Sequence, residues 1–412
     1  MIPPSARLRI ISRIKTAVLE HHFSIENLDL NSWCREVDLQ TPALAELPDD
    51  GMFEDGIHDC LSKLKSSHTD FYRNGRNPIK PEHTIGATLR SVTCFDGQLW
   101  MFLDVFEDGP AARAGISPGH LLVSVNGISA NPPDVPVFRF GGEYELTVIT
   151  SKIREVRNVV VIVPQPKSTR PRLPFVEPKS LSHRMLTERV GLLKITFFSG
   201  MLGIRFSRIL DRAFESLKAQ GCDRLIVDLR GCLGGSLGFA RLVSYLCPNR
   251  VPIGYDITRK RQKVGYDPAG LPKVRMPTSK VGVLLRLAQF SIRDKSLVLL
   301  TQGLGEQAFH GHVVVLINEY TSSAGEMAAQ FAKDTKLATL VGQKTAGLVL
   351  GSAIFDVGNG YMLYLPVFGW YRPDGSPIEG SGVIPDVVVD ADPKSLIEGN
   401  DLQLNTALEI VR

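Results

Sequence analysis

No stretch of this 412-residue chain approaches the ~18 to 20 continuous apolar residues of a membrane-spanning helix. The first residues offer no secretory signal either, because Arg7, Arg9, Arg13 and Lys15 interrupt any apolar segment of the required length. With Met1 as the start, that pattern points to a cytoplasmic protein without a membrane span. Cysteine is sparse. Cys34, Cys60, Cys94, Cys222, Cys232 and Cys247 show no C-x-x-C spacing, which argues against a zinc module and leaves reduced thiols as the expectation. A formal net charge of +4 is too small an imbalance to imply a nucleic-acid partner. The densest basic run, Arg259 to Lys263, reads as a solvated loop. The Gly-x-x-x-x-Gly-Lys-Ser/Thr spacing of a phosphate loop is also missing.

What remains is ordinary globular material, 43% apolar and 22% charged, sufficient for about two or three domains. From Ser5 to Phe71, apolar residues recur at helical spacing, as in Ile11, Ile14, Val18 and Leu19 and again in Ile57, Leu61 and Leu64. Short runs of β character follow at 84–89, 99–103, 121–125, 145–149 and 159–163. Between the second and third lies the segment Gly109-Pro110-Ala111-Ala112-Arg113-Ala114-Gly115-Ile116-Ser117-Pro118-Gly119-His120, and the third ends in Val125-Asn126-Gly127. Strand, short helix, Pro-Gly turn, strand and Asn-Gly turn in that order resemble a PDZ domain, with a generic small β-barrel as the alternative. PDZ-like domains bind an extended chain as an added strand, often at its terminal carboxylate. The resemblance therefore implies a polypeptide partner recognised through its C-terminus, with Gly86 as the peptide-binding position.

Pro164 to Pro178, with Pro166, Pro171 and Pro174 between, reads as an extended linker. From Val190 onward strands alternate with helices, as in 190–195, a helix over 204–219 and the strand 224–229, which is an α/β pattern. The expected divisions are a helical region at 1–75, a PDZ-like β domain at 76–165, a linker at 166–189 and an α/β core at 190–412.

Two strand-to-helix junctions in that core carry chemistry. In the first, the buried-strand run Val313 to Ile317 leads into Asn318-Glu319-Tyr320-Thr321-Ser322-Ser323-Ala324-Gly325-Glu326 and then a helix. Unpaired N–H groups at a helix start can stabilise an oxyanion beside a hydroxyl, which makes Ser323 a candidate nucleophile. An N-cap serine is the plainer reading. In the second, the strand ending at Asp228-Leu229 runs into Arg230-Gly231-Cys232-Leu233-Gly234-Gly235-Ser236, where paired glycines let backbone amides approach a ligand closely. A merely structural Gly-Gly turn is the alternative.

Leu-Arg-Gly-x-x-Gly-Gly after a strand, the Ser-Ser-Ala-Gly-Glu turn, Val341-Gly342-Gln343-Lys344-Thr345-Ala346-Gly347 and Gly382-Val383-Ile384-Pro385-Asp386 occur in one order. That order resembles the carboxyl-terminal-processing (tail-specific) serine peptidases and the related tricorn core. The resemblance implies a crotonase-like α/β superhelical core with an inserted PDZ-like domain. It also implies Ser323 as nucleophile and an oxyanion hole from the amides of Ala324 and of Gly234 or Gly235.

One departure bears on mechanism. Where the tail-specific branch carries a lysine base directly after Thr-x-Gly, this chain has Leu348, which cannot take a proton. Lys344 reads as a strand-end or surface lysine. The segment Ser66-Ser67-His68-Thr69 resembles the tricorn-type alternative, which implies His68 as base, Ser67 as a tetrad member and Glu379 as the supporting acid. A neutral imidazole can accept the Ser323 proton near neutral pH, and the Ser67 hydroxyl can relay a hydrogen bond from carboxylate to ring. Glu326, beside the nucleophile turn, is the rival acid. The other histidines read as structural or surface residues.

The expected function is peptide-bond hydrolysis by acyl transfer, with no metal or organic cofactor and a polypeptide substrate. A catalytically inactive peptide-binding scaffold and a hydrophobic-ligand carrier on the same fold are the rivals. Oligomeric state is not legible in the sequence.

Overall fold

Three helices, α1 (Pro4–His21), α2 (Leu30–Ala45) and α3 (Asp50–Ser62), open the chain and lead into a short strand, β1 (Asp70–Arg73). These come from a computed structural model that describes residues 2–25, 28–73, 84–94, 97–151, 154–165, 180–200, 203–277, 282 and 295–412. Of the linker expected at 166–189, residues 166–179 lie outside the described residues, as does His83. Asp29 caps α2 by accepting from the amides of Asn31 and Ser32, and Asp49 caps α3 through the amide of Met52.

A β-rich unit follows: β2 (Ala87–Cys94), β3 (Gly97–Val105), the single turn α4 (Pro110–Arg113), β4 (Leu121–Val125), β5 (Ile128–Ser129), β6 (Glu143–Ile149) and β7 (Val156–Ile162). Its antiparallel sheet runs β2-β3-β4-β6-β7, with β5 against β4. Ile85, Phe102, Leu122, Phe138, Leu146 and Val161 fill its core. The run expected to start at Thr84 enters the sheet only at Ala87. Gly86, at φ 71°, turns the chain, and its carbonyl accepts from Phe106.

The α/β part comprises β8 (Leu181–Met185), β9 (Val190–Ile195), α5 (Ile204–Ala219), β10 (Arg224–Asp228), α6 (Gly238–Leu246), β11 (Pro252–Thr258), α7 (Arg259–Val264), β12 (Lys273–Arg275), β13 (Leu297–Leu300), β14 (His312–Ile317), α8 (Ala324–Asp334), β15 (Thr339–Gly342), β16 (Gly351–Gly358), β17 (Tyr361–Tyr371), β18 (Val387–Val388), α9 (Pro393–Ile397) and α10 (Leu402–Val411). One sheet runs β18-β15-β14-β10-β9-β8 and is parallel from β18 to β9. Val313 to Ile317 are all buried, as expected of a parallel strand covered on both faces. A second sheet runs β1-β17-β11-β13-β12, with β16 also paired to β17.

The N-terminal helices are built into this second sheet. Ile10, Ile14, Val18, Trp33, Phe53 and Phe71 share one core with Tyr361, Leu363 and Leu365 of β17, each fully buried side chain contributing roughly 1.5–3 kcal/mol. Through β1, paired residue by residue with Tyr361–Tyr364, the chain just after residue 68 is fixed to the far end of the sequence. Among the described residues no helix is long and apolar enough to cross a membrane, and no disulfide forms among the six cysteines.

Candidate active site

Neighbouring strands β10 and β14 are parallel with Asp228 opposite Leu316, so the loops that leave their carboxyl ends must lie side by side. In open α/β sheets that end is where ligands bind. The two loops are laced together. Leu229 N–H donates to Leu316 O at 2.9 Å, Thr321 Oγ1 donates to Leu229 O at 2.8 Å, and Ser322 N–H donates to Cys232 O at 2.9 Å. Asn318, at the end of β14, accepts from Gly231 N–H through Oδ1 at 2.9 Å.

Ser323 sits where this turn meets α8, at φ 53° and ψ −121°. That is not the extended backbone of an ordinary N-cap, and for a residue with a Cβ it costs on the order of 1–3 kcal/mol. The surroundings hold it there: Ser323 N–H donates to Leu348 O at 2.9 Å and to a Glu326 carboxylate oxygen at 3.0 Å.

Gly234 (φ 87°) and Gly235 (φ 124°) abut this turn. A Cβ on Gly234 would stand 2.5 Å from Ser323 Cβ, and one on Gly235 would stand 2.5 Å from Phe198 O, so both positions require glycine. Among the described residues no acceptor takes the amides of Gly234, Gly235 or Ala324. Gly234 thus lies against the Ser323 side chain, Gly235 follows it in the loop, and Ala324 is the next residue after Ser323.

The two acids do different things. Glu326 is fully buried and accepts from Ser323 N–H, Thr345 Oγ1 (2.5 Å), Gly347 N–H (2.7 Å) and Leu348 N–H (2.9 Å). Burial raises its carboxyl above the usual range, while these donors pull the other way. Both its oxygens are used to tie the start of α8 to the 345–348 segment. Glu379 accepts from Val349 N–H at 2.6 Å and Leu350 N–H at 3.2 Å through one oxygen, and from Ser67 N–H at 3.1 Å through the other.

Ser67 Oγ in turn lies 2.9 Å from His68 Nδ1. The carboxylate thus reaches Ser67 through its amide, not through the hydroxyl that sequence reasoning gave to a relay. His68 has φ 58°, and its carbonyl lies 3.4 Å from Ser352 Oγ, which donates to it. Burial lowers its pKa from 6.5 to about 4, which keeps the ring neutral. Beneath it, His22 Nε2 contacts Ser66 Oγ at 2.9 Å, and Ser66 Oγ contacts Thr69 Oγ1 at 3.1 Å. No hydrogen bond joins His68 to Ser323 among the described residues. Both are instead anchored to the same segment, 348–352. Leu348 occupies that segment with its side chain exposed, and Lys344 is exposed at the end of β15.

The β-rich unit docks against the turn that carries Ser323. Tyr320 Oη donates to Leu89 O at 2.5 Å, Arg90 pairs with Glu319 at 2.9 Å, and Asp104 Oδ2 accepts from Asn318 Nδ2 at 3.0 Å and Thr88 Oγ1 at 2.8 Å. Asn318 therefore bridges this unit to the Gly231 loop, a role with no local signal in the sequence beyond a polar residue ending an apolar strand. A cavity of about 220 Å³ opens beside Ser323, walled by Leu237, Phe239, Met327, Leu350, Phe368 and Trp370.

A strained serine at a strand-to-helix turn beside two glycines is the distinctive feature of this region, which lies within residues 189–389, the part of the chain that matches Peptidase family S41. The match covers just under half of the chain, whose curated relatives include carboxyl-terminal-processing and tricorn-related proteases. The chain is 25% identical over 311 residues to a carboxyl-terminal-processing protease of Picosynechococcus, covering 73% of this chain and 64% of that one. It is also 25% identical over 397 residues to a tricorn protease homolog of Streptomyces coelicolor, covering 92% of this chain and 30% of the homolog. The chain thus spans less than two thirds of the length of either relative. In fold it is similar to the photosystem II D1 C-terminal processing protease, with a TM-score of 0.55 at 18% identity, covering 99% and 97% of the two chains.

Proposed function

We propose that the chain is a serine peptidase that cleaves peptides or unfolded proteins through an acyl-enzyme, using a Ser323/His68/Ser67/Glu379 tetrad in place of a Ser/Lys dyad. The observation that carries this reading is the strained Ser323 against acceptor-free glycine amides, with a neutral histidine anchored to the same 348–352 segment. Ser323 Oγ attacks the substrate carbonyl carbon and its proton passes to Nε2 of His68. The oxyanion accepts hydrogen bonds from Ala324 and from Gly234 or Gly235. Collapse of the adduct breaks the C–N bond, and the imidazolium gives its proton to the leaving amine. Water, deprotonated by the same ring, then hydrolyses the ester. In the tautomer these steps need, Nδ1–H donates to Ser67 Oγ, while Glu379 holds the loop through the Ser67 amide. None of these steps uses a metal or organic cofactor.

A polypeptide substrate fits both the similarity to a carboxyl-terminal-processing protease and the sheet edge of the β-rich unit. Gly86, at the turn just ahead of β2, is the proposed seat of a substrate C-terminus. We read residues 76–165 as the recruiting domain, 1–75 as the arm that delivers His68, 166–189 as the linker, whose last part, β8, joins the core sheet, and 190–412 as a crotonase-like core. The parallel units β9-α5-β10 and β14-α8-β15 support that last reading.

A fluorophosphonate probe tests the proposal. Labelling that is lost in Ser323→Ala and strongly reduced in His68→Gln is expected. A folded protein that takes no label at any pH would instead be a peptide-binding scaffold.

A further inference from the structure

β11 is a strand whose alternation contains one misfit. Tyr255 and Ile257 point into an apolar core with Phe23 and Tyr371, so Asp256 faces the other way, opposite Trp370 of β17. There it lines the cavity beside Ser323, whose remaining walls include Leu237, Phe239, Met327, Phe368 and Trp370. Its Oδ1 is shut off from solvent and has no hydrogen-bond partner among the described residues. Among the described residues no cation offsets the charge, and burial pushes this carboxyl up to about 7. Leaving an acid unpaired in a nearly apolar pocket is costly, and the cost is removed when a cation enters.

Resting on the peptidase reading above, we propose that Asp256 sets the specificity of this pocket, selecting substrates with lysine or arginine on the acyl side of the scissile bond. The geometry of that reading supports the assignment. Ser323 and Gly235 both border the cavity, so a substrate carbonyl between them directs its own residue's side chain into it. The apolar walls suit the methylene stem of a long cationic side chain, and Asp256 suits its head. A volume of about 220 Å³ leaves room for such a group. The other buried acids near the site are taken: Glu326 has four donors and Asp104 is held by Thr88 and Asn318.

Peptides identical except for arginine, lysine, norleucine or glutamate at that position test this in the full-length protein. Arginine or lysine is expected to exceed norleucine in kcat/KM by at least about tenfold, and Asp256→Asn to reduce that ratio by a similar factor. Butylguanidine should slow fluorophosphonate labelling of the wild type and lose that effect in Asp256→Asn. The wild-type measurements stand even if the variant does not fold. Turnover that favours norleucine, or a ratio untouched by Asp256→Asn, overturns the inference while labelling of Ser323 keeps the peptidase reading. No labelling and no turnover of any peptide overturns both.

Discussion

Ser323 is held by residues near it in the chain or on the adjoining parallel strand: Glu326 three positions on, Leu348 across the turn, and the Gly234 loop that leaves β10. His68 has no such local frame. It stands between α3 and β1, and Glu379, Ser352 and β17, all from the far end of the sequence, fix it there. The half proposed to carry the nucleophile is thus a property of one sheet, whereas the half proposed to carry the base depends on the N-terminal arm being packed on β17. Damage to the two halves should separate stability from rate.

The largest effect belongs to the chemistry itself. Ser323→Ala should abolish labelling and turnover, and His68→Gln should lower kcat/KM by about 10³-fold, with urea unfolding little changed. Comparable loss of stability in His68→Gln would mean that the ring is a packing element and not a base. Next come the two acids. Glu326→Ala removes the acceptor of four buried donors and should cost about 3–5 kcal/mol in unfolding free energy. Glu379→Gln should instead lower kcat by roughly 10- to 100-fold at nearly native stability, acting through the loop it positions. An exchange of these two outcomes would make Glu326 the supporting acid.

A smaller effect follows from His22, whose pKa burial, and then Arg259, lower from 6.5 to about 4. The folded state binds fewer protons than the unfolded one between those values. This contribution is complete above pH 6.5 and is lost as the pH falls toward 4, at about 1.4 kcal/mol per pH unit at most. Urea unfolding at pH 7, 5.5 and 4.5 should show the decline, and His22→Gln should flatten part of it. Smallest is the bridge to the β-rich unit. Arg90→Ala removes a partly exposed pair with Glu319 together with hydrogen bonds to Ala391 O and Gln343 Oε1, and should cost about 1 kcal/mol of stability.

The legibility of these features in the sequence followed the same division. The strand-turn-helix around Ser323 and the Gly-Gly loop could be read locally, because buried parallel strands are short apolar runs and the turns that follow them are rich in small residues. His68 became visible only through a family resemblance, since pairing β1 with β17 joins residues from opposite ends of the chain. Glu326 and Glu379 could not be told apart, because their roles depend on which backbone amides each meets. Asp256 gave no signal: one acid on an alternating strand reads as a solvent-facing position until Trp370 and Phe368 are seen to wall it in.

The rate of fluorophosphonate labelling of Ser323 as a function of pH tests the central claim most directly. If His68 takes the proton, the wild-type rate rises with an apparent pKa of about 4, where the ring becomes neutral, and stays high through neutrality. In His68→Gln that rise disappears and the plateau drops by about 10³-fold. Labelling of His68→Gln at the wild-type rate, with the same dependence on pH, would contradict the account.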